Sequence, residues 1–138
     1  MAIRNLRYEG DEILKKKSKE VEVVDDKVRE LMDDMVDTMH KYDGVGLAAV
    51  QVGILKRVIV IDLYDGSPIL KLANPVIIKT KGNQNVDEGC LSFPNKFVKV
   101  DRPNEVTVEA LNECLKKVYE KELKTTRISI DINPNNMT

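Results

Sequence analysis

The sequence predicts a single α+β domain, with mostly antiparallel sheets packed around one helix, and three observations carry that expectation. Between residues 28 and 42 apolar side chains recur at spacings of three and four, the period of an amphipathic helix. From Arg57 onward the chain is punctuated by short runs rich in β-branched residues that succeed one another directly, an order that favours antiparallel pairing. A length of 138 residues suffices for one core and is short for two.

Taken in order, residues 8–20 open with Tyr8-Glu-Gly-Asp-Glu-Ile-Leu14 and pass into a basic stretch, which reads as a surface turn or short helix. Val21 to Val24 form either a brief strand or an anchor for this arm, and Asp25 or Asp26 caps the next helix, its negative charge at the positive end of the dipole. The predicted buried face is Val28, Leu31, Met32, Met35, Met39 and Tyr42, with Arg29, Glu30, Asp33, Asp34 and Asp37 opposite. His40 and Lys41 suit the last turn, and Gly44 is expected to end the helix. The methionines are read as core, since filling irregular gaps is what the thioether side chain does best.

Arg57 to Leu63 is a nearly continuous apolar run and reads as a buried strand, closed by a turn at Asp65-Gly66. Ile69 to Ala73 and Val76 to Thr80 are expected as two strands, separated where Asn74-Pro75 removes a ladder donor. Gly82 to Asn85 reads as a loop, while Phe97 to Val100 and Glu105 to Leu111 are strands joined by a corner at Arg102-Pro103-Asn104. Leu115, Val118, Tyr119 and Leu123 fit either a helix face or a half-exposed strand, and Ile128 to Ile132 alternates as a strand before an Asn-rich tail.

Composition excludes several function classes. With 22 basic and 23 acidic residues the net charge is -1, which gives no footprint for nucleic acid or an anionic membrane. Neither a secretory leader nor an apolar run of about 18 residues is seen, so a cytoplasmic setting is expected. Cys90 and Cys114 are expected as free thiols in that compartment, and His40 is the only histidine.

Two segments stand out against this charged background, one without any charge and one with Glu88 as its only charged residue. Gly44-Val-Gly-Leu-Ala-Ala-Val-Gln-Val-Gly53 is small enough in side chain for a partner segment or ligand to approach its backbone, with Gln51 as its one hydrogen-bonding side chain. Glu88-Gly-Cys-Leu-Ser-Phe-Pro94 sets an acid, a thiol and a hydroxyl around one glycine, with Pro94 expected to stop the run. The two are expected to meet in one site. A dinucleotide reading of Gly44-Val-Gly46-Leu-Ala-Ala49 fails on context, because the helix precedes the glycines and the strand comes after them. On residue type alone, Cys90 reads as a small buried hydrophobe and Gln51 as a surface or structural amide.

Gly44-Val-Gly-Leu-Ala-Ala-Val-Gln51 and Glu88-Gly-Cys-Leu-Ser92, in this order and at this separation, closely resemble the first two signature motifs of the peptide deformylases. Ile3-Arg-Asn-Leu-Arg7, Gly10 to Leu14, the Met-rich helix, Asn74-Pro75 and Arg102-Pro103 are also similar to that family. The likeness covers residues 1 to about 112, taken as the deformylase-like domain, with 113–138 as its divergent C-terminal segment. In the resembled family a divalent metal, usually ferrous iron, hydrolyses the formyl group from N-formylmethionyl nascent peptides. The resemblance implies Cys90 as metal ligand, Gln51 and the Leu91 N–H as oxyanion donors, and Gly46 and Val45 as the groups that bind the peptide.

The family's third motif, His-Glu-x-x-His on a helix, is not among these 138 residues. A hydrolytic metal site needs three protein ligands, and one histidine cannot supply two. Relative to the family, a C-terminal core helix is thus expected to be missing or replaced. Uncovered apolar surface costs about 25 cal/mol per Å², so the fold is expected to be weakened, rearranged at its C-terminus, or covered in a homo-oligomer. Three origins fit: a peptide-binding relative without hydrolase activity, an enzyme with substitute ligands such as Cys114 or carboxylates, and a truncated or frameshifted product. A fourth reading, a cysteine hydrolase with Cys90 as nucleophile and His40 as base, has no third group to orient the histidine.

Overall fold

A computed structural model describes residues 2–112 and 125–131. A short 3-10 turn at Glu12–Lys15 precedes the one α-helix among the described residues, α1 (Asp26–Lys41). The strands, in chain order, are β1 (Gly46–Ala48), β2 (Val58–Ile61), β3 (Leu70–Lys81), β4 (Gln84–Cys90), β5 (Phe93–Arg102), β6 (Glu105–Asn112) and β7 (Thr125–Asp131). Five strands form an antiparallel sheet in the order β1-β2-β3-β6-β7, and β4 and β5 form a separate antiparallel hairpin. The α+β expectation holds, with the helix packed on β1 and β2.

Asp25 is the N-cap, its Oδ1 accepting from the Val28 N–H at 3.0 Å. Met32, Met35 and Met39 are fully buried, in one cluster with Leu31, Leu47, Val58 and Val60. Two residues of the helix depart from the period-based reading. Asp34, expected on the outer face, is buried because the N-terminal arm folds over it: Ala2 N donates to its Oδ1 at 2.7 Å and Arg4 Nε to its Oδ2 at 2.9 Å. Tyr42, expected in the core, is the exposed C-cap, and the left-handed residue that turns the chain is Asp43 (φ 56°), with Gly44 beyond it.

Downstream, the break expected at Asn74-Pro75 is a bulge inside one long strand. Asn74 takes a left-handed conformation (φ 53°), the register with β6 shifts there, and β3 continues to Lys81. The Asn74 backbone N–H donates to the Arg57 carbonyl at 2.8 Å, and its side chain pairs with Val21, accepting from the Val21 N–H at 2.7 Å and donating to the Val21 carbonyl at 2.8 Å. Val21 therefore anchors the arm and forms no strand. Gln84 and Asn85, expected in a loop, already belong to β4, and Pro94 lies within β5 instead of stopping the run. Both strands of a two-stranded sheet are edges, where proline is tolerated. Strand β7 matches the expectation over Ile128 to Asp131; Ile132 and the Asn-rich tail, like Leu115, Val118, Tyr119, Leu123 and Cys114, lie outside the described residues.

Candidate functional site

The two motif segments, 44–53 and 88–94, meet. Val45 and Gly46 lead from the helix into β1, Gln51 sits in the 3-10 turn Ala49–Val52, Cys90 ends β4, and Leu91 comes next in the hairpin turn. All five line one open cleft of about 670 Å³, whose walls include Tyr8, Tyr42, Phe93 and Phe97. The segments also pack at Gly44, where a Cβ would fall 2.8 Å from Leu91 Cδ1 and 3.3 Å from Met39 Cγ. The missing side chain lets the first segment lie this close to the second without displacing Leu91. The N-terminal arm ties the two together from outside, with Arg7 N donating to the Gln51 carbonyl at 2.7 Å and Glu9 N to the Ser92 carbonyl at 2.8 Å.

Gln51 is held at both ends of its amide. Its Oε1 accepts from the Ala48 N–H at 3.0 Å, and its Nε2 donates to the buried Ser92 Oγ at 3.1 Å, with Cys90 Sγ at 3.5 Å. The backbone donor fixes which end is oxygen, so the Nε2 faces the second segment. Cys90 is an exposed free thiol on the cleft, contrary to the buried-hydrophobe reading. Gln51 likewise joins the two segments and is more than a surface amide. Ser92, part of the second motif but given no role from sequence, is the residue that orients it.

A neighbouring hollow of about 310 Å³ shares Cys90 and is walled by Glu88, Val98 and Arg102. Glu88 is already engaged there, its two oxygens accepting from Arg102 Nε at 3.0 Å and Nη2 at 3.1 Å. Those bonds raise the guanidinium's pKa above its ordinary value against the opposing effect of burial. His40 belongs to another contact, its Nε2 lying 2.8 Å from Asp62 Oδ2. The described residues contain no group of three or more His, Cys, Asp and Glu side chains placed to hold a metal ion. Among the described residues, the donors near Cys90 are an amide, a hydroxyl and a carboxylate paired with arginine, a set that does not fit a three-ligand divalent site.

The edge of β1 away from β2 is open among the described residues, because β1 is an outer strand of the sheet. No helix among the described residues is long and apolar enough to cross a membrane.

Comparison with known proteins agrees with this geometry. The family model for polypeptide deformylase matches residues 3–127. The chain is 55% identical over 119 residues to peptide deformylase 2 of Clostridium acetobutylicum, covering 86% of this chain and 78% of that protein. It is 52% identical over 118 residues to the peptide deformylase of Acetivibrio thermocellus, covering 86% and 68%. The structure superposes on a peptide deformylase from Legionella pneumophila with a TM-score of 0.83 at 38% identity, over 94% of this chain and 73% of that one. On the Thermotoga maritima peptide deformylase the TM-score is 0.82 at 32% identity, over 95% and 83%. With its two signature segments joined at one cleft and these relatives around it, the chain belongs to the peptide deformylase family.

Proposed function

We propose that these 138 residues carry the peptide-binding and oxyanion side of a deformylase site but do not, by themselves, complete its metal centre. The observation that carries this reading is the Gln51 amide, locked by Ala48 and Ser92 and aimed at the cleft 3.5 Å from Cys90. An N-formylmethionyl peptide is the substrate that this arrangement suits. Gln51 Nε2 and the Leu91 N–H donate to the formyl oxygen, two fixed donors of the kind that stabilise developing negative charge. Val45 and the aromatic walls take the methionine side chain, and the peptide backbone runs beside Gly46 on the open edge of β1, in the manner of an added strand. The setting is the cytoplasm, where formylated nascent chains emerge.

In the family a divalent cation, typically ferrous iron, supplies the hydroxide. Cys90 is the ligand position in this chain, and His40, the single histidine, is committed to Asp62. The residues 1–138 are therefore expected to bind formyl-methionyl peptides without hydrolysing them. Titration of the purified chain with formyl-Met-Ala-Ser, beside its deformylated form, tests the binding half. Saturable shifts of the Gln51 side-chain amide by the formylated peptide support the reading; no interaction with either peptide at millimolar concentration removes it.

A further inference from the structure

Behind the Val45–Gly46 wall of the cleft lies a set of polar contacts that peptide binding and oxyanion stabilisation do not use. Asp62, just beyond β2, engages three neighbours at once. Its Oδ2 lies 2.8 Å from His40 Nε2, its Oδ1 accepts from the Tyr64 N–H at 2.9 Å, and its own N–H donates to the Val45 carbonyl at 2.9 Å. A carboxylate can only accept, so the proton in the first contact resides on the imidazole. Tyr64 is left-handed (φ 54°), and its hydroxyl donates to the Gly44 carbonyl at 2.9 Å. Both carbonyls of Gly44 and Val45 are thereby tied to the end of β2.

Those two residues need such ties. They precede β1, which has only the residues Gly46–Ala48 and pairs on one side, so beyond the Gly44 N–H bond to the Met39 carbonyl at 2.9 Å their main chain depends on these ties. Gly44 is pressed against Leu91, whose N–H is one of the two oxyanion donors, and Val45 faces the peptide. A slack Gly44–Val45 backbone would leave both the Leu91 turn and the methionine wall to be ordered at the moment of binding, and that ordering costs affinity. We propose that His40, Asp62 and Tyr64 are positioning residues that fix the Gly44–Val45 backbone and so set how tightly the cleft holds a formyl-methionyl peptide. This rests on the peptide-cleft reading, and the test separates the two.

The full 138-residue chain, labelled with nitrogen-15, is compared as wild type, Tyr64→Phe, His40→Ala and His40→Gln. Tyr64 is 51% exposed, so removing its hydroxyl leaves the core intact. In Tyr64→Phe and His40→Ala, exchange of the Asp62 amide, which is bonded to Val45, should quicken about tenfold while that of Val60 is unchanged. In the same samples the Kd for formyl-Met-Ala-Ser should rise about threefold to tenfold, as expected for loss of one preorganising hydrogen bond. His40→Gln, whose amide N–H can still donate to Asp62, should restore both. A wild-type chain that binds no peptide sinks the cleft reading and this proposal with it. If the wild type binds and the variants bind equally well, only the positioning role falls. A loss of affinity without faster Asp62 exchange, or a His40→Gln variant that rescues neither readout, also overturns it.

Discussion

Gly44 and Gly46 stand two residues apart in one motif, yet the structure assigns them opposite tolerance to a methyl group. A Cβ at Gly44 would lie 2.8 Å from Leu91 Cδ1, 3.3 Å from Met39 Cγ and 3.4 Å from Leu91 Cγ, whereas one at Gly46 meets nothing nearer than the Val60 carbonyl oxygen at 3.7 Å. Carbon atoms in good contact sit about 3.5–4.0 Å apart, so Gly44→Ala must displace Leu91 by roughly 0.7 Å or more. Met39 Cγ needs to give by only a few tenths of an ångström, so the adjustment falls mainly on the tip of the half-buried Leu91 side chain. Overpacking typically costs about 1–3 kcal/mol, and the low end, about 1 kcal/mol, is expected here. Both variants gain the same stiffening of the unfolded chain, about 0.4–1 kcal/mol, so their difference isolates the contact. Urea denaturation should place the Gly44→Ala midpoint roughly 0.5 M below that of Gly46→Ala, for a slope of about 2 kcal/mol per M. In a Leu91→Ala background most of the Gly44→Ala penalty should disappear, a coupling expected only of residues in contact. Equal midpoints for the two alanine variants, or strict additivity with Leu91→Ala, would refute the close approach of the two segments.

Other perturbations address the fold that holds the site. Met39→Ala empties a fully buried position and should cost about 2–5 kcal/mol by denaturant titration, against a near-neutral Val23→Ala at a position 68% exposed. Asn74→Ala removes both bonds to Val21 and leaves a left-handed alanine at φ 53°; at about 1 kcal/mol for each bond and about 1 for the backbone, the midpoint should report a loss near 3 kcal/mol. The Asp25 carboxyl is held below its ordinary 3.8, chiefly by the Val28 N–H, so its contribution is present above about pH 4 and is lost as pH falls through the depressed folded value. Asp25→Ser caps without titrating, and its melting temperature should fall less steeply below pH 4 than that of the wild type; parallel profiles would show that the cap does not titrate in this way.

The features legible in the sequence were those that repeat or punctuate locally. The stripe Leu31, Met35, Met39 has one period and one consequence, and the structure buries all three. Asp34 carries the same local signal as its exposed neighbours; only Ala2 and Arg4, some thirty residues away in the chain, make it a buried residue. Asn74-Pro75 signals a break by its lost donor, but the sequence does not reveal that Asn74 turns left-handed in a bulge, pairs its side chain with Val21 and leaves β3 running on to Lys81. At the site, Gln51 and Cys90 were legible as parts of two motifs, since no periodicity links positions 39 residues apart. Asp62 and Tyr64 had no such signal. They read as the end of a strand and the start of a turn, and their hold on Gly44 and Val45 emerges only when α1 and β2 are packed together.

Residues 1–138 are proposed to hold the peptide side of a deformylase site without the ligands that hydrolysis requires. General acid–base catalysis alone contributes about 10² to 10⁴ in rate, and a metal-generated hydroxide contributes further, so the difference between a complete and an incomplete centre is large. The decisive measurement is turnover of formyl-Met-Ala-Ser by the purified chain after anaerobic loading with ferrous iron, nickel or zinc, with Cys90→Ser treated identically. Substoichiometric metal is expected, with release of formate no faster than from the Cys90→Ser variant. About one equivalent of metal with formate release that depends on Cys90 would contradict the incomplete centre.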